Sequence, residues 1–260
     1  MAKIFGIDTN HHHPISDWNK VKEFLYEKNN KSSYGFVMVR LGYSNTSGNG
    51  GLVLDRIAID SLKKCNELKI PCGVYVYSYD KSTKAAVKTM QEALDAIKGF
   101  DIDYPVVYDI EYEPFNKACG KAVNTSIAIA AMQVIESVGY YGMIYASRDF
   151  FKNYMHISQL SKYDKWEAAY TTSDTADIPN GMWQFTSKGS VPGISGNVDF
   201  NYSYKDYKEI ITKAGLNNKD KTAVNCLYNI LVKSASKGDK DYIVSKAENL
   251  GLSCEVTEVK

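Results

Sequence analysis

Two acidic residues lie two positions apart at the end of an apolar run near the middle of the chain. The run occupies residues 106–111 and reads VVYDIE, so it ends in Asp109 and Glu111. Because side chains alternate along a strand, the two acids would point to the same side, with Cα atoms roughly 6.5 Å apart. Carboxylates that close raise each other's pKa and favour one shared proton. The spacing indicates acid–base chemistry, and the alternative is a strand end with solvated acids.

The segments around these acids alternate between strand and helix patterns, as is typical of βα units around a parallel sheet. Short runs rich in aromatic and β-branched residues predict strands at residues 4–9, 34–41, 72–79, 104–111, 141–146 and 166–170. Apolar residues at helical spacing predict helices at 17–28 after the cap Ser16, 54–68, 83–98 after the cap Ser82, 127–138 and 204–214. About five βα units result.

Residues 181–200 break this pattern. Two apolar stretches, 182–185 and 197–200, flank a glycine-rich loop, and no helix fits between them. We therefore expect antiparallel strands to close the barrel here.

The predicted strand ends bring further acids into consideration, because the active site of a βα barrel lies at the carboxyl ends of its strands. Asp8 ends the first predicted strand, Asp109 and Glu111 end the fourth, and Asp199 ends the last strand-like segment. One barrel mouth would gather all four into an acidic pocket. The alternatives are a loop cap for Asp8 and a turn with Asn201 for Asp199.

Length and composition fit one large barrel and exclude several other classes. The chain has 260 residues, 44% hydrophobic and 23% charged, with a net charge of +1. These values argue against disorder, membrane insertion and a nucleic-acid footprint. Five cysteines without C-x-x-C spacing predict reduced thiols. The first residues lack signal-peptide features, so we expect synthesis in the cytoplasm without the usual export route.

Several segments resemble the family 25 glycoside hydrolases, the Chalaropsis-type lysozymes that include many phage endolysins of Gram-positive hosts. They read GID at 6–8, VYDIE at 107–111, WQFTS at 183–187 and VPGISGNVDFN at 191–201. GVYVYSY at 73–79 and WEAAY at 166–170 are similar to the family's third and sixth strands. The resemblance runs in consistent order from about residue 3 to residue 207.

The resemblance implies an α/β fold, an irregular TIM-like barrel of five βα units plus three further strands. It also implies cleavage of the β-1,4 bond between N-acetylmuramic acid and N-acetylglucosamine in peptidoglycan. Glu111 would be the general acid, because burial beside other carboxylates keeps its proton available. The family is thought to retain configuration with help from the substrate's 2-acetamido group, which Asp109 would orient. Asp8 and Asp199 would support the pocket electrostatically.

Other residues are candidates for substrate contact. Arg40 could hold an acid of the site or a substrate group, and an ordinary ion pair is the alternative. Aromatic side chains can stack on sugars or simply pack. The aromatic candidates are Tyr43, Tyr75, Tyr77, Tyr112, Trp166, Tyr170 and Trp183.

No cofactor or metal is expected. His11, His12 and His13 invite a metal site, but adjacent histidines do not share one face of a strand. The family more often has an aromatic residue and an amide around this loop, so these histidines depart from its pattern and put substrate contacts there in doubt.

The expected domains are a catalytic barrel at 1–214, a polar linker at 215–220 and a small C-terminal α/β appendage at 221–260. About forty residues bury too little core to stand alone, so the appendage would dock on the barrel or associate with copies of itself. The resemblance to endolysins implies cell-wall binding for it, and a structural extension or oligomerisation element is the alternative. The expected partner is bacterial peptidoglycan, reached after release from the host cytoplasm.

Two rival functions remain at this point. A glycan-binding barrel would keep the aromatic residues and lose the acid, which Glu111 argues against. A chitinase-like hydrolase would use the longer strand motif D-x-x-D-x-D-x-E, which is absent around Asp109.

Overall fold

The computed structural model describes residues 3–174, 178–219, 239–241 and 243–244. Strands in the described part are β1 (Ile4–Thr9), β2 (Phe36–Ser44), β3 (Leu52–Leu54), β4 (Cys72–Tyr77), β5 (Val106–Asp109), β6 (Gly142–Ser147), β7 (Asp164–Ala168), β8 (Met182–Gly189) and β9 (Val198–Ser203). Helices there are α1 (Trp18–Lys28), α2 (Ala58–Leu68), α3 (Thr83–Ile97), α4 (Glu113–Cys119), α5 (Lys121–Ser137), α6 (Arg148–Tyr154) and α7 (Tyr207–Lys213), with a 3₁₀ helix at Ile157–Leu160.

Eight of these strands form a closed barrel. The order is β1-β9-β8-β7-β6-β5-β4-β2, and the ring closes because β1 also pairs with β2. All neighbours are parallel except β9, which runs antiparallel to both β8 and β1. The extra strand β3 pairs antiparallel with β2 outside the ring. Five βα units followed by three further strands confirm the predicted α/β barrel and its antiparallel closure.

Strand alternation separates two apolar layers and aims the acids inward. In β5, Val106 and Tyr108 pack in the layer beneath the helices, whereas Val107 packs inside the barrel. Asp109 follows in the same phase as Val107 and so faces the interior. A parallel strand buried on both sides reads as a continuous apolar run, which explains the sequence pattern before Asp109.

Several helix starts differ from the prediction, among them those of α1 and α2. Asp17, not Ser16, caps α1, since its carboxylate accepts from the backbone N–H groups of the next turn. Ser16 instead donates to the carbonyl of Gly193. Helix α2 begins at Ala58, later than predicted, because Leu54 belongs to the hairpin strand β3. By contrast, Ser82 caps α3 as predicted.

No single helix of the described ranges is long and apolar enough to cross a membrane. The pair α4 and α5 meets that length and composition only when joined, with a bend of 116° between the two helices.

The predicted linker is docked on the barrel in its described part, residues 215–219. Asn217 is 1% exposed, and its amide donates to the carbonyls of Ile102 and Tyr104. Its Oδ1 accepts from the backbone N–H of Tyr141 at 2.8 Å. Lys219 pairs with Asp103 at 2.8 Å. The chain divides into two compact units, residues 1–222 and 223–260. The predicted elements of the appendage lie outside the described residues, apart from a few helical residues at 239–241 and 243–244.

We predict that Asn217→Ala lowers the free energy of unfolding by about 3 kcal/mol, because it leaves buried backbone groups without partners. Asn218→Ala is the matched control. Both asparagines have a left-handed backbone, but the side chain of Asn218 donates only to the Tyr140 hydroxyl. Urea unfolding measures both variants. Equal losses would show that backbone strain, not the buried hydrogen bonds, sets the effect.

Candidate active site

A pocket of about 250 Å³ opens at the carboxyl ends of the parallel strands. It contains all four predicted acids together with Arg40 and four of the predicted aromatic residues. The lining residues are Asp8, Arg40, Tyr75, Tyr77, Asp109, Glu111, Tyr145, Trp166, Tyr170, Gln184 and Asp199. The structure therefore brings together residues that lie as much as 191 positions apart in the chain.

Asp199 lies at this mouth as predicted, but its position within its strand differs from the prediction. It is the second residue of β9, not the end of a strand. Because β9 is antiparallel to β1, the start of β9 lies beside the end of β1, and Asp199 pairs directly with Asp8 in the register. The predicted strand 104–111 also extends too far, since β5 ends at Asp109 and Glu111 follows in the loop.

Asp109 is the most enclosed of the four acids. Its side chain is 3% exposed, and its Oδ1 has no hydrogen-bond partner among the described residues. Burial raises the pKa of Asp109 well above its ordinary value, and the neighbouring charges of Glu111 and Asp8 raise it further. A buried oxygen without a partner favours a ligand that supplies a donor.

Glu111 has the pKa that a general acid needs. Burial raises the pKa of Glu111 to about 7, with the charges of Glu113 and Asp199 adding to the effect. A carboxyl group with that pKa holds its proton for a substantial fraction of the time at neutral pH. Glu113 itself lies at the exposed start of α4 and pairs with Lys117 at 2.9 Å.

Asp8 lies in a hydrogen-bond network that sequence reasoning missed. Its Oδ2 accepts from Gln184 Nε2 at 3.0 Å and from Asn201 Nδ2 at 2.9 Å. Burial, followed by the charge of Asp199, raises the pKa of Asp8 well above its ordinary value. The alternation of β8 could have identified Gln184, because it shares the interior phase of Met182.

Arg40 lines the pocket, but its ion-pair partner is Asp55 and not one of the four acids. The guanidinium Nε donates to Asp55 Oδ2 at 2.9 Å, and His11 contacts the same carboxylate oxygen at 2.9 Å. Burial opposes ionisation of Asp55, but hydrogen bonds from Arg40 and from two backbone N–H groups outweigh it and hold the pKa below its usual value. No cluster of three or more His, Cys, Asp or Glu side chains suited to a metal occurs in the described ranges.

The predicted aromatic residues divide by depth. Tyr75 and Trp166 are 8% and 1% exposed and meet edge to face with ring centroids 5.8 Å apart. Tyr77 is half-buried, and Tyr170 is 59% exposed at the mouth. Packing accounts for the buried pair, whereas Tyr77 and Tyr170 are accessible to a ligand.

Tyr43 and Tyr112 lie beside the pocket, not in its wall. Both rings contact Tyr79, at centroid distances of 6.2 and 4.7 Å, and Tyr79 contacts Tyr77 at 5.0 Å. These four residues form a tyrosine strip that extends from the rim. Tyr79 is not among the predicted contacts, although it ends the predicted strand 72–79 in the same phase as Tyr77; in the structure, β4 ends at Tyr77.

The structure places Trp183, a predicted substrate contact, outside the wall of the pocket. Trp183 is 3% exposed and packs on the outer side of the barrel against Phe185 and Tyr202. Its indole N–H donates to the carbonyl of Ala169. The alternation of β8 places Gln184 in the mouth and its neighbour Trp183 outside.

The sequence of this chain also matches the model of a known protein family. The profile of glycosyl hydrolases family 25 matches residues 7–194. The chain belongs to this family. The autolysin LytC of Streptococcus pneumoniae, solved in complex with a synthetic peptidoglycan ligand, is 28% identical, with a TM-score of 0.65. That match covers 78% of this chain and 47%, or about half, of LytC.

Two further solved structures share the fold, and one curated relative matches in sequence. The endolysin CTP1L is 22% identical over 82% of this chain and 70% of its own, with a TM-score of 0.64. A lysozyme of Streptomyces coelicolor is 17% identical over 85% of this chain and 100% of its own, also with a TM-score of 0.64. The uncharacterized protein YegX of Escherichia coli K12 is 24% identical over 202 residues, which are 76% of this chain and 68% of YegX.

We predict that Asp109→Asn stabilises the folded protein at neutral pH. The folded-state pKa of Asp109 lies above its unfolded value, so wild-type stability falls as the pH rises from about 4 through the raised pKa. Asparagine carries no charge and avoids this loss. Thermal unfolding should show a higher midpoint for the variant at pH 7.5 and nearly equal midpoints below pH 4.

Asp60→Asn is the control for the stability measurement, since that carboxylate is 83% exposed. Its midpoint should follow wild type at every pH. An Asp109→Asn protein less stable than wild type at pH 7.5 would contradict the account of this buried acid.

Proposed function

We propose that this protein is a peptidoglycan hydrolase, and specifically an N-acetylmuramidase that cleaves the β-1,4 bond between N-acetylmuramic acid and N-acetylglucosamine. The observation that carries the proposal is Glu111, whose pKa is raised to about 7 in a pocket shared with three other carboxyl groups. Family 25 membership and the peptidoglycan ligand of LytC support the choice of substrate.

In the proposed reaction, Glu111 gives its proton to the glycosidic oxygen as the bond to the anomeric carbon breaks. The oxygen of the substrate's own 2-acetamido group forms the new bond to that carbon. Asp109 accepts the acetamido N–H through Oδ1, the oxygen that has no partner in the described structure. This hydrogen bond favours the ionised form of Asp109, which stabilises the positive charge that develops on the acetamido group.

The second half-reaction returns the groups to their starting state. Glu111, now ionised, takes a proton from water, and the water oxygen attacks the anomeric carbon as the bond from that carbon to the acetamido oxygen breaks, which restores the acetamido group and retains the configuration overall. Asp8 and Asp199 together supply negative charge on the opposite side of the pocket, where it stabilises the positively charged transition state. The tyrosine strip offers flat apolar faces to neighbouring sugars of the glycan.

The biological setting belongs to the same proposal. An endolysin role is supported by the fold shared with CTP1L. In that role the protein is made in the cytoplasm of a phage-infected bacterium and meets the wall after release through a membrane lesion. Wall binding or oligomerisation through residues 221–260 stays a prediction, because most of this segment lies outside the described residues.

Reducing-end analysis of digested peptidoglycan tests the specificity. The digest is reduced with borohydride and hydrolysed in acid, and the new sugar alcohols are identified. We predict muramitol. Glucosaminitol would indicate a glucosaminidase, new amino groups without sugar alcohols would indicate an amidase, and wall binding without new ends would indicate a glycan-binding barrel. Each of these results contradicts the proposal.

We predict that Glu111→Gln lowers kcat for wall hydrolysis at least about 100-fold, because it removes the proton donor. Its circular dichroism spectrum should match wild type. In wild type, activity should fall as the pH rises through about 7, since the protonated form of Glu111 is the active one.

Glu113→Gln is the matched control, since it removes a neighbouring charge and keeps the acid. The lost charge lowers the pKa of Glu111, so the basic limb of the pH–rate profile should move to lower pH. A basic limb in the same place in both proteins would rule out Glu111 as the titrating group.

A further inference from the structure

The side chain of Gln184 joins Asp8 to two tyrosines of the pocket. Gln184 is 4% exposed and its Nε2 donates to Asp8 Oδ2. Its Oε1 accepts from the hydroxyl of Tyr145 at 3.0 Å and from that of Tyr170 at 3.1 Å. Both the nitrogen and the oxygen of this amide thus have hydrogen-bond partners within the mouth.

Trp166 fixes the orientation of the neighbouring amide, Asn201. An indole N–H can only donate, so the atom of Asn201 that it meets at 2.9 Å is the carbonyl oxygen. The amide nitrogen of Asn201 then faces Asp8 Oδ2. That oxygen accepts from two amides and has no room for a proton of its own. Gln184 presents its nitrogen to Asp8 and its oxygen to the two tyrosines.

This arrangement determines where a proton on Asp8 can lie. With Oδ2 occupied as an acceptor, the proton belongs on Oδ1. Asp199 pairs with Asp8 across the strands, and a hydrogen bond between their carboxyl groups raises the pKa of Asp8 and lowers that of Asp199, which favours the proton on Asp8. The two carboxyl groups therefore share one proton on the side away from Gln184.

Other charged and titratable groups also face the pair. From β2, β4, β5, β6 and the adjoining loops, these groups are Arg40, Tyr75, Asp109, Tyr145, Glu111, Tyr170 and His13. Arg40 is held by Asp55, and the remaining acids add negative charge. The amide donors on Asp8 Oδ2 are the groups that favour ionisation of the pair from within hydrogen-bond distance.

We propose that Gln184 is a positioning residue, which keeps Asp8 Oδ2 free of a proton and so directs the shared proton to the bridge between Asp8 and Asp199. The expected effect of Gln184 on the reaction rate rests on the proposed function, in which the singly charged pair of Asp8 and Asp199 stabilises the transition state. Its effect on the pair is a property of the resting protein and can be measured without substrate.

The test uses the full-length protein labelled with ¹³C at the aspartate carboxyl carbons. Gln184→Met keeps the side-chain length and removes both the donor and the acceptor. Loss of a hydrogen bond to a charged group should move the first ionisation of the pair upward by about one pH unit. The acid limb of the pH–rate profile should move the same way, with a larger change in kcat than in KM.

Gln184→Glu provides a conservative rescue. A protonated glutamic acid can still donate to Asp8 Oδ2 and accept from the tyrosines, so activity should recover at acid pH and fall where the new carboxyl ionises. This variant also carries the test if the methionine protein does not fold.

Phe185→Leu is the matched control on the same strand. Phe185 packs on the outer side of the barrel against Tyr202, with ring centroids 4.7 Å apart. Loss of this ring should lower the thermal unfolding midpoint. The titration of Asp8 and Asp199 and the acid limb of the pH–rate profile should stay unchanged.

An unchanged titration of Asp8 and Asp199 in Gln184→Met would overturn the inference. So would equal shifts in Gln184→Met and Phe185→Leu. A shifted titration in a protein whose wild type does not hydrolyse peptidoglycan would support the role of Gln184 and refute the proposed function, so the two failures are distinguishable.

Discussion

The cost of burying like charges in one barrel mouth is the constraint on which the site depends. Asp8 and Asp109 are almost fully enclosed, and Glu111 and Asp199 are half-buried beside them. Arg40, the one cation among the described residues that line the pocket, is already paired with Asp55. Full ionisation of the four acids is therefore strongly disfavoured. The pocket holds protons at a pH where isolated carboxyl groups have lost them, and these protons are what glycosidic cleavage requires.

The barrel creates this situation by closing with one reversed strand. Because β9 runs against β1 and β8, its first residues lie at the same mouth as the last residues of the parallel strands. Asp199 therefore faces Asp8, and Asn201, two residues on, reaches the same carboxyl group. A regular parallel closure would place the start of the last strand at the opposite end of the barrel. The irregularity of the fold thus contributes directly to the site.

Much of this arrangement could be predicted from the sequence, because strand ends and side-chain alternation are local properties. Asp8 and Asp109 follow apolar runs, so their positions at the mouth could be predicted. The antiparallel direction of the strand carrying Asp199 was also predicted, but its extent was not, so Asp199 was placed at the end of the strand and not near its start. Trp183 was assigned to the mouth although the phase of β8 places Gln184 there.

Hydrogen-bond partners that depend on long-range contacts could not be predicted from the sequence. Asp55, which holds Arg40, follows a three-residue strand within a segment whose apolar spacing also fits a helix. Asn217 lies in a polar stretch that reads as a linker, and only the barrel carbonyls it binds show otherwise. Hydrogen bonds between residues 15 to 115 positions apart leave no periodic signal in the sequence.

The central claim is that enclosure keeps a proton on Glu111 near neutral pH, and a ¹³C NMR titration of the glutamate carboxyl carbons measures this directly. The account predicts one glutamate resonance that titrates near pH 7 and is missing from the spectrum of Glu111→Gln. A spectrum in which every glutamate of the folded protein titrates between about pH 4 and pH 5, as free carboxyl groups do, would contradict it.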